Sequence, residues 1–286
     1  MQAIRDCGFK YTDFEIDEAL LTREQAPVEL TRRLLEESEL TAYQAHAPMF
    51  NAFTEEGRAK LPLLEQSIRL CAAVGIPSVV VHANSLVGNT KQEFLERNVE
   101  FYNSLLPFCE ETGVILLAEN IGRPDESFFL SDGQELRELL DAVNHPLFKA
   151  CWDVGHANHH AGKSQYASLL ALGDKLHALH VHDNTGYFPP CYRQHRIDMH
   201  TMPYVSLYTD VNFDEVLLGL KHIGYKGTFN FEVVTGCPRI RYTPFELDGV
   251  VHDKLSSPSL ELWKQFNKTL YATGKYMLEA YDMFEG

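Results

Sequence analysis

The sequence predicts an α/β fold, a (β/α)8 barrel, on three observations. Strand-length apolar segments alternate with helical patterns. Polar residues stand at the C-terminal end of nearly every such segment, and a long helical pattern, about 258–282, follows the last one. Alternation with short links implies parallel strands joined by right-handed crossovers. Acids and imidazoles gathered at the strand ends mark the face on which barrel active sites are built. The chain contains neither GxGxxG nor GxxxxGK[ST], so nothing supports an open nucleotide-binding sheet.

The strands are read in order as "FKYTDFEI" (9–16), "LTAYQAHAP" (40–48), "PSVVVHAN" (77–84), "GVILLAEN" (113–120), "FKACWDVGH" (148–156), "LHALHVHDN" (176–184) and "GTFNFEVV" (227–234). Helical patterns fall at 58–74, 91–111, 134–143, 165–174 and 213–222. In 91–111, Phe94, Leu95, Val99, Tyr102, Leu105, Leu106 and Cys109 recur at three- and four-residue steps, one apolar face of a helix. Gly75, Gly113 and Gly224 stand where C-terminal caps favour glycine. "MQAIRDCG" reads as the first helix, closed by Gly8. On that reading "FKYTDFEI" is strand 2, and strand 1 is absent from the chain. Seven strands are therefore expected, in a shortened barrel with two open edges. A natural seven-stranded barrel is the alternative. Residues 1–286 are expected to form one domain.

Hydrophobic residues make up 45% of the 286-residue chain, enough for a large core. The formal net charge is −15, from 25 basic and 40 acidic residues. Such a surface repels phosphate backbones and anionic lipid, which disfavours nucleic-acid and membrane partners. The six cysteines form no CxxC and read as reduced thiols. No stretch approaches a membrane span and the N-terminus lacks a signal-peptide run, so a cytoplasmic location is expected.

The strand ends carry the chemistry. They supply His46, His82, Glu119, Asp153 with His156, His180 with His182 and Asp183, and Glu232. Three acids, Glu119, Asp153 and Glu232, would converge and repel one another, and a divalent cation relieves that repulsion. With His180 the donor set becomes oxygen-rich, suited to one Mn²⁺, Mg²⁺ or Co²⁺, with Zn²⁺ as the alternative. The long loop 183–211 is rich in aromatics, Pro and His, and is expected to line a substrate pocket through Arg193, His195, Arg196, Asp198 and His200. His46, His82 and His182 are further expected substrate contacts. His159 and His160 are expected to lie outside the site.

The order Glu, Asp-x-x-His, His-x-x-Asp, Glu on successive strands resembles the xylose isomerase-like TIM barrel superfamily. "HAPMFN", "VVVHAN", "LLAENIG", "WDVGHAN", "LHVHDN" and "FNFEVV" all look like its strand-end motifs, over nearly the whole chain. The resemblance implies metal ligation by Glu119, Asp153, His180 and Glu232. In the ketose 3-epimerases of the superfamily, two glutamates move a proton beside a metal-polarised carbonyl. Glu119 and Glu232 match them, and His156 matches a substrate-binding histidine. Those epimerases carry an arginine where this chain has Gly186. A second relative, endonuclease IV, binds three zinc ions. Its ligands match His46, His82, Glu119, Asp153, His156, His180, Asp198, His200 and Glu232, with His46, His82, His156, Asp198 and His200 as the additional donors. After Asp198-x-His200 the chain reads "TMPYVSLYTDV" and lacks that relative's Gly-Glu-Gly turn. The expected function is a metal-dependent sugar, or sugar-like keto compound, isomerase or epimerase. A multi-zinc phosphodiesterase and a catalytically silent sugar-binding barrel are the alternatives, and dehydration of a polyol-type keto compound is a variant. The open edge left by a missing strand could recruit a second copy of the chain to form a homo-oligomer, although the sequence does not set the oligomeric state.

Overall fold

The computed structural model describes residues 1–22, 27–121, 129–159, 164–186, 200–204, 209–233, 245–254 and 258–285. The chain opens with α1 (Gln2–Arg5), β1 (Tyr11–Glu15), α2 (Glu18–Leu21) and α3 (Pro27–Ser38). It continues through β2 (Thr41–His46), α4 (Glu55–Val74), β3 (Ser78–Val80), α5 (Lys91–Thr112) and β4 (Ile115–Glu119). Then follow α6 (Gly133–Val143), β5 (Phe148–Asp153), α7 (Val154–Asn158), α8 (Gln165–Leu172) and β6 (Leu176–His180). The last elements are α9 (Phe213–His222), the strands β7 (Phe245–Leu247) and β8 (Val250–His252), and α10 (Leu260–Ala280).

β1 to β6 pair in sequence order, all in parallel, in one curled sheet. This is the sheet of an α/β TIM barrel. The helix ends follow local chemistry. Thr54 and Thr90 cap α4 and α5 through their side chains, and Thr90 with Glu93 forms a capping box. Gly75 and Gly113 close the same helices at φ 80° and 77°, as the sequence predicts. Gly8 has φ 110°, but α1 ends earlier, at Arg5.

The expected seventh strand is much shorter than 227–234. Among the described residues of this segment only Phe231 pairs with the sheet, opposite Val181 just past the end of β6. Val181 N–H donates to Asn230 O at 2.8 Å, and Glu232 N–H donates to Val181 O at 3.0 Å. The physical reason is one-sided support, because no strand flanks this segment on its far side among the described residues. The opposite edge is β1, and a cavity of about 830 Å³ lies between the two, lined by Tyr11, Thr12, Asp13, Asn230, Phe231 and Tyr271. The described strands therefore stop short of a closed eight-stranded ring. Outside the expected pattern lie the helices α2 and α3, the helix α7, which replaces the end of the expected strand 148–156 after Asp153, and the antiparallel hairpin β7–β8, whose residues are all exposed.

The main core lies between the sheet and its helices. Phe94, Tyr102, Leu116, Leu136, Leu139 and Trp152 are fully buried in it. Inside the curl sits a second, small cluster of Val80, Leu117, Cys151 and Ala178, one from each of β3 to β6. Strand side chains alternate faces, so the residue two positions on points the same way. Two positions on stand His82, Glu119, Asp153 and His180. A small apolar layer thus forms the floor beneath the polar strand ends.

Candidate metal centre and active site

Glu119, Asp153 and His180 end the successive strands β4, β5 and β6, and are 1%, 0% and 0% exposed. Glu232 reaches them from the bridging segment. One donor atom from each of the four lies within 4.8 Å of the others. Asp153 is fixed twice. Its backbone N–H donates to Asn120 Oδ1 at 2.7 Å while Asn120 Nδ2 donates to its carbonyl at 2.8 Å. Its Oδ1 also caps α7 by accepting from His156 N–H at 2.7 Å. His156 Nδ1 in turn donates to Asn120 O at 2.9 Å. Sequence reasoning overlooked Asn120, although its place beside Glu119 in "LLAEN" is the signal that could have found it.

Glu119 is the hub. Its Oε2 lies 2.7 Å from His82 Nε2 and 3.7 Å from His46 Nε2, and its Oε1 lies 2.9 Å from His180 Nδ1 and 3.5 Å from His156 Nδ1. Burial works against its charge, but His180 and His82 outweigh burial and hold it well below the usual carboxylate range. Asp153 is also lowered, because His156 and His182 outweigh its burial. Glu232 goes the other way. Burial pushes it up, Asp153 and Glu119 add to the rise, and His180 opposes it. Its Oε2 is buried and finds no hydrogen bond among the described residues. Three acids and one imidazole around an orphaned carboxylate oxygen fit a divalent cation, which would supply the missing partner and relieve the repulsion.

Two further donor groups adjoin this one: His46, His82 and Glu119; and His156, His182 and His200. His182 is fully buried, its Nε2 3.1 Å from Asp153 Oδ1, with its ring stacked on His200 at 3.9 Å. Gly155 makes room for it, since a Cβ there would strike the His182 ring. His182 was expected only as a substrate contact, yet its burial places it deep in the cluster. His200 Nδ1 donates to Glu232 O at 3.0 Å. Asp183 anchors the long loop instead of joining the cluster. Its Oδ1 accepts from the N–H groups of Asn184, Asp210 and Val211, and its backbone pairs with Thr201. Gly186 sits at φ 61°, where a Cβ would meet Asp210 Oδ2 at 2.6 Å. An arginine at that position would be strained by its backbone and by Asp210 alike. Arg193, His195, Arg196 and Asp198 lie outside the described residues, as does His160. His159 is buried and joins none of the three groups.

Residues 1–249 match the family model described as xylose isomerase-like TIM barrel, and the chain belongs to that family. It is 24% identical over 263 residues to the protein y4fM of Sinorhizobium fredii, covering 81% of this chain and 79% of that one. It is 26% identical over 176 residues to a probable endonuclease 4 of Citrifermentans bemidjiense, covering 56% of this chain and 61% of that protein. Among solved structures, a D-tagatose 3-epimerase-like protein superposes with a TM-score of 0.71 at 19% identity, over 99% of this chain and 93% of the other. An IolI protein with a bound zinc atom gives 0.71 at 17% identity, over 100% and 93%. At these identities the two structures speak for the fold. No helix among the described residues is long and apolar enough to cross a membrane.

Proposed function

We propose that this protein is a divalent-cation-dependent isomerase or epimerase of sugars or sugar-like ketones, working as one domain over 1–286. The observation that carries the reading is the convergence of Glu119, Asp153, His180 and Glu232 within 4.8 Å. A cation held there, with Mn²⁺, Mg²⁺ or Co²⁺ favoured, supplies Lewis acidity toward a substrate carbonyl and the adjacent hydroxyl.

The protein's own residues then divide the proton transfer. Glu119 is kept anionic by its imidazoles, whereas Glu232 is raised by burial and by neighbouring acids. Two carboxyls whose environments push their affinities for a proton apart are suited to act as base and acid. Glu119 removes the proton on the carbon beside the carbonyl, and Glu232 returns one. His156, at the start of α7, binds a substrate oxygen. His46, His82 and His200 contact the remaining hydroxyls, together with Arg193 and Arg196. D-tagatose 3-epimerase-like and D-allulose 3-epimerase structures among the structural neighbours support the substrate class. Cys7, Cys71, Cys109 and Cys151 are buried free thiols, which favours the reducing cytoplasm.

The test is epimer formation from a panel of ketopentoses and ketohexoses with added cation. The wild type should convert at least one. Glu232→Gln should lose roughly 10²–10⁴-fold in turnover. Full activity in that variant would end the two-glutamate scheme.

A second reading, a multi-metal phosphodiesterase, is favoured by one observation: three donor groups adjoin one another, two of them sharing Glu119. The net charge of −15 weighs against gripping DNA.

A further inference from the structure

Beneath the four donor residues, Asp13 of β1 makes an unusual set of contacts. A register shift between Thr12 and Asp13 interrupts the β1–β2 ladder, a bulge of the kind that re-aims a side chain. Asp13 Oδ2 accepts from Gln44 Nε2 of β2 at 2.9 Å, from His180 Nε2 of β6 at 3.1 Å and from Asn230 Nδ2 at 3.2 Å. Its Oδ1 is buried without a hydrogen bond, so all three donors converge on one oxygen.

The contact with His180 has a chemical consequence. His180 is fully buried, and its Nδ1 faces the carboxylates of Glu119 and Glu232 at 2.9 and 3.5 Å. An imidazole binds a cation through one nitrogen only when its proton sits on the other. On His180 the donor must be Nδ1, so the proton belongs on Nε2, and Asp13 is the acceptor placed to keep it there. We infer that Asp13 is a positioning residue: its carboxylate fixes the tautomer and ring orientation of His180 and so sets the affinity of the cation centre. The inference rests on the cation reading of the Glu119, Asp153, His180 and Glu232 group. The contacts to Gln44 and Asn230 serve a separate purpose, tying β1 to β2 and to the bridging segment.

Calorimetric titration with Mn²⁺ separates these roles, using wild type, Asp13→Asn and Asn230→Ser. Asparagine keeps the shape and one acceptor oxygen but loses the charge. Asp13→Asn should bind Mn²⁺ roughly 10- to 100-fold more weakly. Asn230→Ser, which loses only the tie, should stay within about twofold of wild type. Equal losses in both variants would make Asp13 a structural tie and overturn the inference, as would unchanged affinity in Asp13→Asn. A wild type that binds no cation would defeat the cation reading itself. Nitrogen-15 NMR of histidine-labelled wild type with diamagnetic Mg²⁺ gives a readout that needs no variant to fold. His180 should carry its proton on Nε2, and a proton on Nδ1 would overturn the inference.

Discussion

The two halves of the barrel interior are built from different chemistry. Under β3 to β6 the floor is apolar: Val80, Leu117, Cys151 and Ala178 pack together, and the Cys151 thiol is raised to about 12, first by burial and further by Glu119 and Asp13, against the opposing pull of His180. Across the curl, where β1, β2 and the bridging segment meet, the same level is polar, with Asp13, Gln44 and Asn230 joined by hydrogen bonds. The apolar half stands under β3, β4 and β5, each paired on both sides, and β6, paired with β5 and met beyond its end by the Phe231 bridge. The polar half stands where the sheet is open, and hydrogen bonds between side chains do there what a further strand would do elsewhere. Glu119, Asp153 and His180 stand over the first half, and Glu232 reaches the same cluster from the second. The centre therefore joins a rigid rim to a more weakly held one.

This contrast can be broken or sharpened. The largest effect falls in the apolar half. Leu117→Ala removes a fully buried side chain and should cost about 2–5 kcal/mol in urea unfolding. A loss under about 1 kcal/mol would mean that the floor relaxes as readily as the open edge.

The next effect is a pH dependence measured on chelator-treated protein. Burial opposes the charge on Glu119, and His180 and His82 outweigh it, so its folded value lies well below 4.5. The stability this contributes is present above 4.5 and is lost as pH falls through the depressed value. For His180, burial opposes protonation, whereas Cys151, Glu119, Glu232 and Asp13 outweigh it and raise the group well above 6.5. That contribution is complete below 6.5 and is lost as pH rises through the raised value. The melting temperature should therefore decline on both sides of the interval from 4.5 to 6.5. Added Mn²⁺ should offset the alkaline decline, since cation binding takes Nδ1 without its proton. A flat profile from pH 4 to 9 would contradict the pairing.

Hydrogen exchange tests the rims directly. The Leu117 amide, in the paired sheet, should exchange at least about tenfold more slowly than the Glu232 amide, which holds an isolated bridge. Equal protection would show the bridging segment to be as firmly held as a full strand. The smallest effect belongs to the open edge. Tyr11, 49% exposed on β1, should tolerate alanine at a cost of about 0.5 kcal/mol or less.

Much of this was legible in the sequence because period-two alternation and strand-end chemistry coincide. "LLAEN", "CWDVGH" and "LHALHVH" each place a polar end on a buried run, and β4, β5 and β6 follow. Glu119, Asp153, His180 and Glu232 do converge. Asp13 escapes a local reading because its partners His180 and Asn230 lie 167 and 217 residues away, and nothing in "YTDFE" or "YQAH" announces a shared acceptor. The length of 227–234 was overestimated because its apolar pattern is that of a strand, whereas pairing depends on a neighbour that the pattern cannot reveal. His182 is read from the sequence as a substrate contact, which says nothing of its burial. Only the packing of its ring over Gly155 shows how deep it lies.

The most direct test of the central claim is the count and identity of metal ions per chain in purified protein, by inductively coupled plasma and native mass spectrometry. The account predicts one divalent ion, lost on Asp153→Asn. Three zinc ions per chain would contradict it and move the chemistry from sugars toward phosphodiesters.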